Sequence, residues 1–219
     1  MGMREFARMD LQAVIFDYGE VLSGPPDAAA HRKLLEISAT KEEAFEKAYW
    51  THRLDYDADI LNEQTFWHTI ARECGTRFSA EQVGLLTEQD ALMWMNLNPA
   101  MLAWLPKIKE AGFRLGILSN MPGGVLRYML PRFPWLAQFD HLTWSCDLGL
   151  VKPDPAIYLH TVRKLGVAPD QALFIDNLEK NTAGAEAVGL HAALFADAEQ
   201  LQRDLERRGF RLPRLEAVS

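Results

Sequence analysis

The sequence predicts an α/β protein: a doubly wound parallel sheet with an all-helical segment inserted after the first strand. Three observations lead there. Short, wholly apolar runs recur and stop at polar residues, helix-capping patterns recur between them, and the stretch 23–98 holds helix starts but no convincing strand. A run that is apolar at every position suits a strand buried on both faces of a parallel sheet. Strand and helix in alternation suit the right-handed crossovers that join parallel strands.

Ala13-Val14-Ile15-Phe16 is the first such run and ends at Asp17. Leu115 to Leu118 ends at Ser119-Asn120, Ala172 to Ile175 ends at Asp176-Asn177, and Ala192 to Phe195 ends before Asp197. His141 to Trp144 is a weaker candidate. Asn98-Pro99 opens a helix with a cap and a proline at the first helical position, and Ala111-Gly112 closes it. Asp154-Pro155 and Leu165-Gly166 repeat that pattern, and further helices are expected over 181–188 and 197–208. Within the insert, Thr40 with Glu43 and Ser79 with Gln82 have capping-box spacing, and Asn62 suits a third cap. Ser23-Gly24-Pro25-Pro26 and Asn96-Leu97-Asn98-Pro99 read as two hinges. The expected division is a catalytic core of 1–22 and 99–219 with a helical cap of 23–98.

The chain has 219 residues, 48% of them hydrophobic and 24% charged, enough to bury a real core. A net charge of −7 argues against nucleic acid and anionic membrane surfaces as partners. No run approaches the roughly 20 apolar residues of a membrane span, and Met1 to Asp10 has no apolar signal core. Cys74 and Cys146 stand far apart without metal spacing and read as reduced thiols. These features predict a cytoplasmic protein acting on a small molecule.

Ligands of open parallel sheets bind at the carboxyl ends of the strands. Asp17, Ser119-Asn120, Lys152 and Asp176-Asn177 stand just past such ends or at helix starts. Taken singly, each has a plain reading as a turn, a cap or a surface lysine. Taken together they suit phosphoryl transfer. A carboxylate can be the nucleophile, two carboxylates and a backbone carbonyl can hold Mg²⁺, and Lys152 can neutralise charge on the transferring group.

Ala13 to Leu22, Leu118-Ser119-Asn120, Leu150 to Tyr158 and Phe174 to Asn177 occur in this order. They resemble the four motifs of the haloacid dehalogenase superfamily, in the branch with a helical cap between motifs one and two. The resemblance covers essentially the whole chain and implies a Rossmann-like core. It further implies that Asp17 attacks phosphorus, Ser119 binds a phosphoryl oxygen, and Lys152 pairs with Asp17 and the phosphoryl group. Mg²⁺ would be held by Asp17, the Gly19 carbonyl and Asp176. Asn120 would contact phosphate, and Asn177 and Asn181 would support the metal site from behind. The substrate would be a small phosphorylated metabolite.

Two positions depart from the phosphatase pattern. Gly19 replaces the usual second aspartate, which donates a proton to the leaving group, and Asn177 replaces a second aspartate of the fourth motif. An Asp-x-Gly first motif is similar to that of a subgroup containing α-D-glucose-1-phosphate phosphatase, so anomeric sugar phosphates are expected substrates. A 2-haloacid dehalogenase is the runner-up. That branch carries tyrosine two residues after the nucleophile, whereas Tyr18 follows Asp17 directly. A third reading is a non-catalytic binding protein on a degraded phosphatase fold. In the insert, Arg53 and Tyr56 are candidate substrate contacts, with equal weight on Tyr56 packing inside and Arg53 pairing with Asp57. His52, His68 and His160 have no metal or triad spacing and read as structural.

Overall fold

The structure is a computed structural model and describes residues 10–215. Residues 1–9, part of the stretch inspected above for a signal core, lie outside them. Strand β1 (Ala13–Phe16) occupies the middle of a five-stranded parallel sheet ordered β3-β2-β1-β4-β5. Its neighbours are β2 (Arg114–Ser119) and β4 (Ala172–Asp176). The weaker candidate is strand β3 (His141–Trp144) at one edge, and β5 (His191–Leu194) forms the other. Every residue of β1 is fully buried. Val14 and Phe16 join one apolar layer with Trp104 and Ile108, while Ala13 and Ile15 join the opposite layer with Ile157 and Val162. That two-sided burial is why the run is apolar throughout.

Between β1 and β2 lie α1 (Ala28–Ser38), α2 (Glu42–Asp57), α3 (Glu63–Glu73), α4 (Ala80–Met93) and α5 (Pro99–Glu110). The first four pack around an apolar cluster of their own, including Phe45, Tyr49, Phe66, Trp67 and Leu86. The capping box of Ser79 and Gln82 is present, and Asn62 caps α3 through the Thr65 amide. Thr40 does not cap α2: the cap position is Lys41, with no side-chain bond, because the Thr40 hydroxyl meets Ser38 Oγ. Asp27 caps α1 through the amides of Ala29 and Ala30. The two hinge segments run side by side, bridged antiparallel at Ser23 and Leu97.

Beyond β2 come α6 (Gly123–Met129), the short α7 (Ser145–Leu148), α8 (Pro155–Leu165), α9 (Glu179–Ala187) and α10 (Ala198–Arg207). Asp154 caps α8 and Gly166 ends it in the left-handed conformation. Among the described residues no helix is long and apolar enough to cross a membrane.

Candidate active site

The chain makes a sharp turn as it leaves β1. Tyr18 to Leu22 form a wide turn closed by the Ser23 amide donating to the Tyr18 carbonyl at 2.8 Å, with Gly19 (φ −63°, ψ 125°) and Glu20 (φ 54°, ψ 12°) outside helical geometry. The Asp17 amide donates to the Ile175 carbonyl at 2.8 Å, which ties the end of β1 to β4. Asp17 Oδ1 accepts from the Tyr18 amide at 2.7 Å and lies 2.8 Å from Lys152 Nζ. Asp17 Oδ2 has no hydrogen-bond partner among the described residues.

Lys152 is almost completely buried and bridges two carboxylates, its Nζ also lying 2.7 Å from Asp176 Oδ2. Burial alone would lower the lysine pKa; the carboxylates of Asp17 and Asp176 outweigh it and raise it, so the ammonium persists. Burial pushes Asp17 up to about 7, opposed by Lys152 and assisted by the negative charge of Asp176. Asn120 fixes Lys152 by its backbone: Oδ1 accepts from the Lys152 amide at 2.8 Å and Nδ2 donates to its carbonyl at 3.2 Å. The Asn120 amide expected on phosphate is therefore spent on holding the lysine. Ser119, at the end of β2, is buried, and its hydroxyl makes no hydrogen bond among the described residues.

These groups open onto a cleft of about 420 Å³. Asp17, Gly19, Ser119, Asn120, Lys152, Asn177 and Asn181 line it, and Trp50, Arg53, Leu54 and Asp57 face it from α2. Two expected residues lie elsewhere. Tyr56 is fully buried and stacked on Phe66 at 4.1 Å, so it packs the helical segment and does not line the cleft. Asp176 is fully buried beneath Lys152 and is not a lining residue. Its Oδ1 accepts from the Leu178 amide, its Oδ2 from Lys152, and Asn181 Nδ2 donates to both at 3.1 Å. Asn177 takes the cleft position instead, since successive residues leaving a strand point in different directions. Its Nδ2 donates to Glu20 Oε2 at 3.0 Å.

The residues lining this part of the cleft, Asp17, Gly19, Glu20 and Asn177, carry oxygen acceptors: two carboxylates, an amide and backbone carbonyls. That donor set fits a hard dication such as Mg²⁺, although only Asp17 and Glu20 bring negative charge.

Arg53 lines the cleft with its Nε and Nη1 already committed. Nε donates to Asp57 Oδ1 at 2.7 Å, and Nη1 reaches Asp90 Oδ1 at 3.2 Å and the Tyr49 hydroxyl. Ser145 Oγ donates to the Asp57 carbonyl at 2.5 Å and accepts from the Met121 amide at 2.8 Å, which holds the end of α2 against the loop after β2. Sequence reasoning missed Ser145, and nothing about a lone serine at the start of a short helix marks it. It also missed Trp50, Leu54, Trp94 and Leu178 as cleft residues. For Leu178 the signal was available, as an apolar residue directly after Asp176-Asn177.

A family model described as haloacid dehalogenase-like hydrolase matches residues 11–189. The chain belongs to that family. Among its relatives, bifunctional epoxide hydrolase 2 of Mus musculus is 27% identical over 91% of this chain, which spans only 39% of that protein's length. A phosphoglycolate phosphatase of Cereibacter sphaeroides is 32% identical over half of each chain. Two solved structures show the shared fold. The HAD-family enzyme BT-2542 of Bacteroides thetaiotaomicron, in complex with magnesium and inorganic phosphate, superposes with a TM-score of 0.68 at 19% identity, over 85% of this chain and 94% of that one. L-2-haloacid dehalogenase RSc1362 gives 0.62 at 22% identity, over 84% and 85%. The fold of this hydrolase family therefore does not by itself choose between phosphorus and carbon as the atom attacked.

Proposed function

We propose that this hydrolase cleaves small phosphate monoesters with Asp17 as nucleophile and Mg²⁺ as cofactor, and that residues 23–98 act as a cap that selects the leaving group. One observation carries the reading: Asp17 with an unpartnered Oδ2, the Lys152 ammonium and the unpartnered Ser119 hydroxyl share one cleft. Asp17 attacks phosphorus, the Asp–O–P bond forms as the bond to the leaving oxygen breaks, and the electron pair stays on that oxygen. Lys152 and Ser119 bind the phosphoryl oxygens as charge redistributes. Water then attacks the aspartyl-phosphate and releases phosphate and Asp17.

Mg²⁺, when bound, neutralises charge on the phosphoryl group. Asp17 and the Gly19 carbonyl would hold it, Asn177 would offer its amide oxygen, and Asp176 would anchor Lys152 from below. The phosphoglycolate phosphatase relative and the magnesium–phosphate complex of BT-2542 support this choice. Gly19 supplies no proton to the leaving oxygen, so leaving groups that tolerate negative charge are favoured: aryl, acyl or anomeric phosphates. Dehalogenation by the same Asp17 is the second reading, supported by the shared fold of RSc1362.

Release of phosphate from p-nitrophenyl phosphate with Mg²⁺, and its loss in excess EDTA, tests the proposal. Full activity in EDTA would remove the metal from it. Chloride release from 2-chloropropionate without any phosphatase activity would replace it with the dehalogenase reading.

A further inference from the structure

We infer that the leaving group accepted by this cleft is an apolar aromatic ring, making the substrate an aryl phosphate rather than a sugar phosphate. The inference rests on the phosphomonoesterase reading and narrows it.

Eight large apolar side chains are prominently exposed among the described residues, and three of them, Trp50 (54%), Leu54 (45%) and Leu178 (43%), stand around the catalytic cleft. A single exposed leucine means little, but a cluster at one mouth marks a contact surface. Trp50 and Leu54 come from α2, and Leu178 comes from the turn after β4, so the three face the site from both sides. Met121 and the ring of Trp94 extend the apolar wall inward. Trp94 Cζ3 would lie 3.9 Å from a β-carbon at Gly19.

Several polar groups along this wall are engaged. Trp50 Nε1 donates to Glu46, Tyr18 Oη to the Trp94 carbonyl, and Arg53 Nε to Asp57. The indole of Trp50 therefore offers the cleft only carbon. Polar groups also stay open here: Lys180 and Glu20, both exposed at the mouth, and Trp94 Nε1, buried with no partner among the described residues. A sugar entering here would exchange water for carbon at the hydroxyls that meet Trp50, Leu54 and Leu178, which is unfavourable, whereas a ring gains from burial on the same side chains. A cleft of about 420 Å³ has room for a phosphate and a ring system of one or two rings. Leaving-group chemistry agrees independently: a phenol ionises near about 10, so phenoxide departs without the proton donor that Gly19 lacks.

The test compares kcat/KM for 2-naphthyl phosphate, hexyl phosphate, α-D-glucose 1-phosphate and acetyl phosphate. Acetyl phosphate has a good leaving group and no large apolar part, so it reports on the phosphatase chemistry alone. The expected order puts 2-naphthyl phosphate about 10²-fold or more above glucose 1-phosphate. Trp50→Ala and Leu54→Ser should each raise KM for the naphthyl ester about tenfold, with a smaller change for glucose 1-phosphate. Glucose 1-phosphate matching the naphthyl ester, or hexyl phosphate exceeding it, would overturn the inference while leaving the phosphatase reading intact. No turnover of any ester, acetyl phosphate included, would sink the phosphatase reading instead. In that case quenching of Trp50 fluorescence by naphthylmethylphosphonate, compared with Trp50→Phe, still decides whether the wall binds an aromatic ring; its absence would overturn the inference too.

Discussion

The sheet and the helical segment each bury one cation between two carboxylates, and they use the arrangement differently. At the strand ends Lys152 lies between Asp17 and Asp176 at 2.8 and 2.7 Å, yet Asp17 Oδ2 and the Ser119 hydroxyl remain unpartnered beside it. In the helical segment Arg53 lies between Asp57 and Asp90 at 2.7 and 3.2 Å, and Tyr49 joins the cluster by donating to Asp90 at 2.7 Å. There the guanidinium is tied to both carboxylates, and Asp90 Oδ2 is left buried with no partner among the described residues, although Arg53 and Asp57 line the cleft. Each cluster sets one cation between two aspartates, a lysine in one and an arginine in the other. What separates them is the company of the open carboxylate oxygen: Asp17 Oδ2 shares its end of the cleft with an ammonium and the Ser119 hydroxyl, whereas Asp57 faces the cleft with its charge already matched by Arg53.

The largest effect expected from breaking this contrast is at Asp17. Asp17→Asn is nearly isosteric and removes the nucleophile, so turnover should fall by about 10⁴-fold or more, with the denaturation midpoint little changed. Retained phosphatase activity would place the open acceptor elsewhere. Arg53→Met should do the reverse. It leaves Asp57 and Asp90 buried without their cation and should cost about 3–5 kcal/mol in urea unfolding. The exposed pair of Arg203 and Glu199 provides the control, because Arg203→Met should cost less than about 1 kcal/mol. A small loss for Arg53→Met would mean that its cluster is not structural.

Gly19→Asp sharpens the chemistry of the sheet site. Gly19 has φ −63°, and an added β-carbon would meet nothing closer than 3.9 Å, so the backbone and the space admit a side chain. The variant should gain about 10²-fold on alkyl phosphates and little on p-nitrophenyl phosphate, read as a flatter dependence of kcat/KM on leaving-group pKa. An unchanged slope would mean that another group already protonates the leaving oxygen. The smallest effect is in pH. Burial raises Asp17, the proposed nucleophile, to about 7. In the metal-free protein its carboxyl should therefore titrate at about 7 when followed by ¹³C NMR, and bound Mg²⁺, which favours the carboxylate, should move the acid limb of kcat/KM below that pH. A metal-free titration at the ordinary aspartate value would show that Lys152 outweighs burial.

Much of this was legible in the sequence, and for physical reasons. The three central strands are buried on both faces, so β1, β4 and Leu115 to Leu118 of β2 read as apolar runs, and β5 was legible from Ala192 to Phe195 although Leu194 at that edge is exposed. β3 sits at an edge with His141 and Leu142 only half-buried, and its signal was correspondingly weak. Caps with a proline behind them marked α5 and α8 closely. α2 begins without a side-chain cap, so the Thr40 spacing misled. The site residues that leave strand ends could be listed from sequence, but their division of labour could not. Asp176 and Asn177 differ by one atom type and one step along the chain. Only the backbone direction decides that Asn177 faces the cleft and Asp176 lies under Lys152. Contacts contributed by the helical segment were illegible for a similar reason: Tyr56 and Arg53 lie on one helix, and the packing of Phe66 and Asp90 decides which way each one turns.

The paired hinge has a further consequence. Gly24 donates to the Asn96 carbonyl, Asn98 donates to the Leu22 carbonyl, and Ser23 bridges Leu97, so the chain leaves the sheet and returns to it within one hydrogen-bonded rung. To the sheet, everything between those residues is a closed loop of fixed span. Lengthening such a loop adds only slowly to its closure entropy, and nothing in the register of β1 with β2 depends on what the loop contains. Evolution can exchange the excursion for one of another size while the strand ends stay in place, so a lineage can change what it cleaves without having to rebuild how it cleaves.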